Sequence, residues 1–432
     1  MTAAGATHPL ALAREWGGET LVFRGATAVA LVHALDDAFF HRQPGVPLGQ
    51  HALAAAVTLA AGVGAGVAFP RLRPGLRAGV ALVFGVFATV NGAMHVAHVA
   101  VAEIAGSDLT GVLAVAAGAV LLGLGVVVPL RHRGERAATR RRRWARRVVA
   151  VLAGALLAYA VVLPAALAIA LTHKYREPIG QPPSAAYEPV ALTSADGLRL
   201  SGWYRPSGNG AAVILVHGGG GDRTGAVRHA ELLARHGYGV LLYDARGRGE
   251  SEGSPTGAPG WGWENDVAGA LAFVRERRDV EPGRIGALGL STGAHVLIEV
   301  AAERRDLRAV VADGTTARSF ADYRNLQGID SAAPYWWSLY TAARVLSGAG
   351  PGAPLVDLVR RVSPTPLLLI AAGRGVPLER EVNRLYAEAA REPFEMWDLP
   401  DVGHTAAIRE RPAEYERRVV GFFDRALGRR DP

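Results

Sequence analysis

The stretch Arg284-Ile-Gly-Ala-Leu-Gly-Leu-Ser-Thr-Gly293 decides how the rest of the chain is read. Its first half has the apolar content of a buried strand. It ends in Gly289-Leu290-Ser291-Thr292-Gly293, a G-x-S-x-G pattern, and residues 293–302 then read as a helix. A serine at a sharp strand-to-helix turn sits in a strained backbone conformation that lifts its hydroxyl clear of the sheet. Glycines two before and two after leave room where side chains would collide across the turn. The amino end of the helix aims free N–H groups at the same spot, which favours developing negative charge. The spacing therefore predicts Ser291 as a nucleophile, with an incidental glycine-rich turn as the alternative in a chain of 53 glycines.

Around this turn, apolar strands alternate with amphipathic helices. Runs at 190–193 and 198–204 flank Asp196-Gly197, a hairpin signal. Strands are expected at 211–216, 240–243, 285–290, 309–312, 367–371 and 394–399. Helices are expected at about 226–236, 265–275, 381–390 and 413–427, besides the one after Ser291. Wholly apolar strands in this alternation imply a parallel sheet covered on both faces, with ligands beyond the carboxyl ends of the strands. Residues 190–428 thus form an α/β domain. An insertion at about 315–364, holding Tyr335-Trp336-Trp337 and Tyr340, is expected as a small cap. Its aromatic side chains suit an acyl pocket, a membrane interface or plain packing.

The remainder is different in kind. With 432 residues the chain has room for two or three domains, and with no cysteine it has neither disulfides nor thiolate metal sites. Five apolar stretches near bilayer-crossing length occupy residues 21–40, 51–69, 76–101, 109–130 and 148–171. Nine arginines lie between the fourth and fifth, from Arg131 to Arg147, opposed only by Glu135. Arginine resists translocation, so this loop is expected in the cytoplasm and everything after residue 171 outside. Because the basic residues flank apolar segments, the net charge of +8 argues for a membrane and against nucleic acid. Residues 1–172 are thus an expected all-α transmembrane bundle, joined by a Pro-rich linker at 173–189. Within it, His33, Asp36, Asp37 and His41, and then Asn91, His95 and His98, recur at helical spacing. Polar groups at membrane depth tend to face partners. A metal or haem site from His95, His98, His33 and Asp36 is one reading, and interhelical hydrogen bonding is the plainer one.

Four motifs in fixed order carry a resemblance: His217-Gly218-Gly219-Gly220-Gly221, Asp244-Ala245-Arg246-Gly247-Arg248-Gly249-Glu250-Ser251, the turn at 289–293, and Gly403-His404. Residues from about 185 to 428 resemble the α/β-hydrolase superfamily. The resemblance implies that Ser291 attacks an ester, thioester or amide carbonyl and that His404, after the final strand, takes and returns the proton. It also implies an oxyanion site made by the backbone N–H groups of Thr292 and Gly219. Asp244 and Arg246 are expected to fix their loop by ion pairing. The superfamily's aspartate is missing after the strand at 367–371, where Gly373-Arg374-Gly375-Val376-Pro377-Leu378-Glu379-Arg380-Glu381 stands. Glu379 on that loop is the first candidate for the triad acid, and Glu381 and Asp313 are the alternatives. The expected protein is a membrane-anchored serine hydrolase, esterase- or lipase-like, that takes a small-molecule or lipid-like acyl substrate, contacts membrane lipid, and needs no cofactor or metal. A peptidase or acyltransferase on the same scaffold, and a non-catalytic binding or sensing module, are the rivals.

Overall fold

The computed structural model describes residues 9–36, 39, 48–99, 106–131, 144, 159–160, 163–172, 179–253, 257–323, 333–347, 349–376 and 378–428. The chain divides into two compact units, Met1–Ala166 and Leu167–Pro432.

In the first unit, α1 (Pro9–Leu35), α2 (Leu48–Ala68), α3 (Pro74–Val99) and α4 (Gly106–Arg131) follow one another. The first helix starts well before the apolar stretch at 21–40. Its Glu19 is buried 3.5 Å from the equally buried Arg77, and that guanidinium also donates to the carbonyls of Phe69, Pro70 and Leu72. Helices α3 and α4 pack through small residues. A Cβ added at Gly92 would lie 2.3 Å from the Gly111 carbonyl oxygen, and one at Gly118 would lie 2.2 Å from Thr89 Oγ1. Among the described residues, one helix, Leu109–Pro129, is long and apolar enough to cross a bilayer, while Ala55–Arg71 and Pro74–Thr89 are shorter apolar helices. Most of the stretch at 148–171 lies outside the described residues, as do the arginines from 133 to 147.

His33 and Asp36 act between helices. His33 Nδ1 lies 3.0 Å from Thr110 Oγ1, and that hydroxyl donates to Asp36 at 2.7 Å. Asp37, His41 and the side chains of His95 and His98 lie outside the described residues. Among the described residues no three His, Cys, Asp or Glu side chains form a metal-sized group.

In the second unit, eight strands form one sheet: β1 (Glu188–Thr193), β2 (Arg199–Arg205), β3 (Ala212–Val216), β4 (Gly239–Tyr243), β5 (Ile285–Leu290), β6 (Val310–Asp313), β7 (Leu367–Arg374) and β8 (Phe394–Gly403). Their spatial order is β1-β2-β4-β3-β5-β6-β7-β8. The hairpin β1–β2 is antiparallel and meets β4 antiparallel, and every pairing from β4 onward is parallel. Strands β3 to β6 are buried at every position, as uniformly apolar runs require. Alternate residues of β3 serve opposite layers. Ile214 and Val216 join a cluster with Val267, Leu297 and Leu358, whereas Val213 and Leu215 join one with Leu233, Val419 and Phe423.

After the apolar segment α5 (Leu163–Thr172), the helices of this unit are α6 (Val227–Arg235), α7 (Glu264–Arg275), α8 (Thr292–Glu303), the single turn α9 (Phe320–Tyr323), α10 (Ala333–Ser347), α11 (Leu355–Val362), α12 (Glu379–Ala389), the single turn α13 (Ala407–Glu410) and α14 (Pro412–Leu427). Two expectations change. The second half of the supposed linker is packed: Ile179 contacts the core and Tyr187 is buried in it. The cap is also smaller than 315–364. Leu355, Leu358, Val359 and Val362 recur at helical spacing and bury against the sheet, so α11 is the crossover helix between β6 and β7. What stands apart is α10. Its Leu339 and Ala343 cluster with Ala258 and Trp261, Trp336 and Tyr340 flank them, and Trp337 is exposed.

The packing of α8 on β3 leaves no room at one position: a Cβ at Gly293 would lie 2.2 Å from the Val216 carbonyl oxygen. Gly293→Ala is expected to destabilise the second unit by about 2–3 kcal/mol. In a thermal melt followed by circular dichroism that is a drop of roughly 4–12 °C in Tm.

Candidate active site

Ser291 joins β5 to α8 with φ 53° and ψ −113°, a region that side chains other than glycine rarely adopt. Its neighbours explain how the turn closes. A Cβ at Gly289 would lie 2.4 Å from the carbonyl carbon of Gly293, so both glycines of the pattern are sterically required. The Ser291 N–H donates to the Asp313 carbonyl at 2.7 Å, and its own carbonyl accepts from Ala294 at 2.9 Å to open the helix.

The imidazole arrives from the far edge of the sheet. Strand β8 bulges against β7, and the pairing resumes at Arg374 opposite Gly403. The His404 N–H then donates to the Arg374 carbonyl at 2.8 Å. Gly375 lies beneath this residue: with φ +103°, an added Cβ there would sit 3.3 Å from His404 Cβ. His404 Nδ1 is 2.6 Å from Glu379 Oε2, while Glu379 Oε1 accepts the Ala372 N–H at 2.8 Å. The carboxylate is fully buried and both its oxygens are engaged, so it has one orientation. Glu379 is the first residue of α12 rather than a loop residue. The helix starts early because Leu378, in a left-handed conformation with φ 64°, turns the chain and accepts the first helical hydrogen bond, from Val382 at 3.0 Å.

The two alternative acids are placed elsewhere. Glu381 is exposed on the first turn of α12. Asp313 is buried at the end of β6, and its Oδ2 accepts from the Tyr415 hydroxyl at 3.0 Å. Burial raises its carboxyl to about 7, the Glu379 charge pushing the same way and the Tyr415 hydrogen bond and the field of His404 opposing. The backbone at this point serves both ends of the site. Asp313 takes the Ser291 N–H, and a Cβ added at the next residue, Gly314, would lie 3.0 Å from His404 Cε1.

The glycine run after β3 lies against the turn. A Cβ added at Gly218 would be 3.6 Å from Ser291 Cβ, and one at Gly219 would be 2.6 Å from both Thr292 Oγ1 and Pro259 Cβ. Thr292 is the first residue of α8, and the first N–H groups of a helix have no intrahelical acceptor. Gly219 and Thr292 are thus brought together beside the serine, where backbone donors can meet an oxyanion.

His217 holds this loop in place. Its Nε2 accepts the Ala245 N–H at 3.0 Å, so its Nδ1–H donates to the Gly218 carbonyl at 2.8 Å. Asp244 and Arg246 brace the neighbouring loop, each with its own partners. Asp244 accepts from the Arg223 and Glu250 N–H groups and pairs with the Arg223 guanidinium at 3.2 Å. Arg246 spans Asp266 and Asp196, both at 2.7 Å. Sequence reasoning did not single out Arg223 or Tyr415. They reach these carboxylates from 21 and 102 residues away, and neither carries a local signature.

A family model described as X-Pro dipeptidyl-peptidase (S15 family) matches residues 170–394, which include Ser291 and Glu379 and stop before His404. The uncharacterized protein YfhR of Escherichia coli K12 is 31% identical over 283 residues, covering 63% of this chain and 93% of YfhR. The thiohydrolase aneE of Aspergillus aculeatus is 31% identical over 128 residues, 29% of this chain and 40% of that one. Among solved structures, the Pyrococcus furiosus esterase Pf2001 aligns with a TM-score of 0.50 at 25% identity, over 60% of this chain and 99% of the esterase.

Burial lowers His217 to about 4 from an ordinary 6.5. Between those values the unfolded chain takes up a proton here and the folded one does not. The imidazole therefore contributes stability above about pH 6.5 that is lost as pH falls through about 4. His217→Gln removes this titration. The gap in Tm between the two proteins is expected to narrow steadily from pH 7 to pH 4 in thermal melts.

Proposed function

The chain belongs to the X-Pro dipeptidyl-peptidase (S15) family of α/β-hydrolase-fold hydrolases, and from that premise we propose that it is a serine hydrolase working through an acyl-enzyme on Ser291. His404 Nε2 takes the hydroxyl proton as Ser291 Oγ attacks the substrate carbonyl. Glu379 holds the Nδ1 proton and favours the imidazolium that forms. The N–H groups of Thr292 and Gly219 receive the oxyanion. The tetrahedral intermediate collapses as His404 gives the proton to the leaving group, and water, deprotonated by the same imidazole, then releases the acyl product. The observation that carries this reading is the 2.6 Å contact between His404 Nδ1 and a buried, fully engaged Glu379.

Ester cleavage is the first activity, in keeping with the likeness to an esterase and to a thiohydrolase. Amide cleavage after proline is the second, favoured by the family model itself. The first unit anchors the enzyme in the cell membrane by five spans, with the second unit on the outer side. Two features support this: large apolar side chains such as Leu21, Val57, Val63, Leu76 and Leu109 stand exposed on its helices, and α3 meets α4 through glycines, as membrane helices do. The substrate is then a small or lipid-like acyl compound, with membrane lipid as the neighbour and no role for nucleic acid.

A fluorophosphonate probe is expected to label the folded protein, and Ser291→Ala to abolish labelling. Folded protein that does not label would favour a non-catalytic module. On a panel of p-nitrophenyl esters, acyl thioesters and X-Pro amides, Glu379→Gln is expected to lower kcat about 10²–10⁴-fold on whichever class is cleaved. In intact cells, externally added protease should degrade the second unit; protection in intact but not lysed cells would reverse the orientation.

A further inference from the structure

Helix α10 carries side chains that the fold of the second unit does not use. Among the described residues from 179 to 428, three large apolar side chains stand exposed, and the two most exposed are Trp337 at 69% and Val345 at 79%. Their spacing puts them on one face of the helix, together with the exposed Thr341 and Arg344. The opposite face is sealed. Leu339 and Ala343 are buried, and Trp336 lies 5.0 Å from Tyr323 and 6.1 Å from Tyr340 between ring centroids. A helix that is apolar on both faces calls for a second apolar neighbour.

The surroundings of α10 say what that neighbour is. Its inner face shares a cluster with Ala168 of α5, which is fully buried there, while Leu167 beside it is exposed. Helix α5 is the far end of the apolar stretch at 148–171, the last proposed span. The cap helix is therefore packed where that span ends. Its exposed face offers a tryptophan, which is favoured at a membrane–water boundary, and Arg344, the one charged residue of α10, which suits anionic headgroups.

We propose that the exposed face of α10 lies in the lipid surface from which α5 emerges, with anionic lipid as its partner, and that Ser291 takes acyl groups presented at that surface. This rests on the membrane-anchoring and serine-hydrolase readings and names the surface through which the two act together. The link to the site is the segment Ala258-Pro259-Gly260-Trp261. Ala258 and Trp261 pack in the α10 cluster. Between them, Pro259 Cβ would lie 2.6 Å from a Cβ added at Gly219, and a Cβ added at Gly260 would lie 2.7 Å from Thr292 Cγ2. One short segment thus joins the docked helix to both expected oxyanion donors.

The chain has no cysteine, so a single label can be placed at will. Full-length protein is reconstituted in vesicles of phosphatidylcholine and phosphatidylglycerol. A nitrobenzoxadiazole label is attached to Val345→Cys or, as the aqueous reference, to Arg417→Cys, exposed on α14 in the opposite helix layer. The label at position 345 is expected to emit to the blue of the one at 417, to be quenched by doxyl lipid and to be shielded from iodide. Equal iodide quenching at the two positions overturns the docking. A second measurement compares a short, water-soluble fluorophosphonate with hexadecyl fluorophosphonate held in the same vesicles. Trp337→Ser combined with Val345→Ser is expected to slow the lipid-held probe about 10-fold relative to the soluble one. A merely structural loss slows both probes alike, and an unchanged ratio overturns delivery from the lipid surface. If the wild-type protein does not float with the vesicles, the anchoring reading has failed and this proposal goes with it. If it floats but reacts with neither probe, the serine-hydrolase reading has failed, and with it the delivery of acyl groups to Ser291. Floating, reactive protein whose label at position 345 stays in water removes only the role of α10.

Discussion

The approach of α8 to the end of β3 is the contact on which the rest of the site depends. The Val216 carbonyl and the Gly293 Cα meet so closely that no side chain fits between them. This closeness forces the chain to reverse from β5 into α8 within one residue, and that residue is Ser291. The same reversal puts Thr292 at the free amino end of the helix and beside Gly219 from the loop after β3. One steric constraint, satisfied by two glycines, therefore fixes Ser291 at the turn and brings Thr292 beside Gly219.

The cost of this geometry is localised. Among the described residues, the three non-glycine residues with left-handed φ are Ser291, Leu378 and Thr405. One is the serine, one precedes Glu379 and one follows His404. Each such conformation costs about 1–2 kcal/mol and persists only where the surroundings over-determine it. Here the surroundings are a sheet whose four central strands are wholly buried, with helices on both faces. Strain distributed through a fold would have no functional meaning. Strain confined to the three places where side chains must converge points from an observed outlier to a site.

Much of this was legible in the sequence. The strands with continuous apolar runs, β3 to β6, were found within a residue or two because burial on both faces leaves few alternatives to such a run. The G-x-S-x-G turn was legible because the demand for two glycines is local. What could not be read has physical reasons. Strands β7 and β8 extend past their expected ends because a bulge, in which Gly373 lies against the Pro400 carbonyl, restores their pairing at Arg374 and Gly403. Pairing across strands leaves no mark in either strand alone. The linker looked free because Pro and Gly dominate it, yet Ile179 and Tyr187 are enough to bind its second half to the core. The partnership of Asp313 with Tyr415, and of Asp244 with Arg223, depends on distant segments. In the first unit, charges such as Glu19 obscured the start of α1, because nothing local announces that Arg77 will neutralise it.

The glutamate at position 379 follows from how α12 begins. An aspartate on a loop can be brought to the imidazole by adjusting the loop. A residue that opens a helix cannot, because its backbone is committed to the helical hydrogen bonds that Leu378 starts. The longer side chain supplies the missing reach, and it gains from the position: the amino end of a helix favours a carboxylate, and the Ala372 N–H holds its second oxygen. The buried Asn383, one turn further on, donates to the Glu379 carbonyl at 2.8 Å and also to the Thr315 carbonyl beyond β6. Glu379 is thus held by β7 through Ala372, by its own helix, and through Asn383 by Thr315 beyond β6. Shortening it to aspartate would keep the charge and the helix but lose the contact with Nδ1, so at position 379 the length of the side chain, and not the chemistry of its carboxylate, decides whether the imidazole is reached.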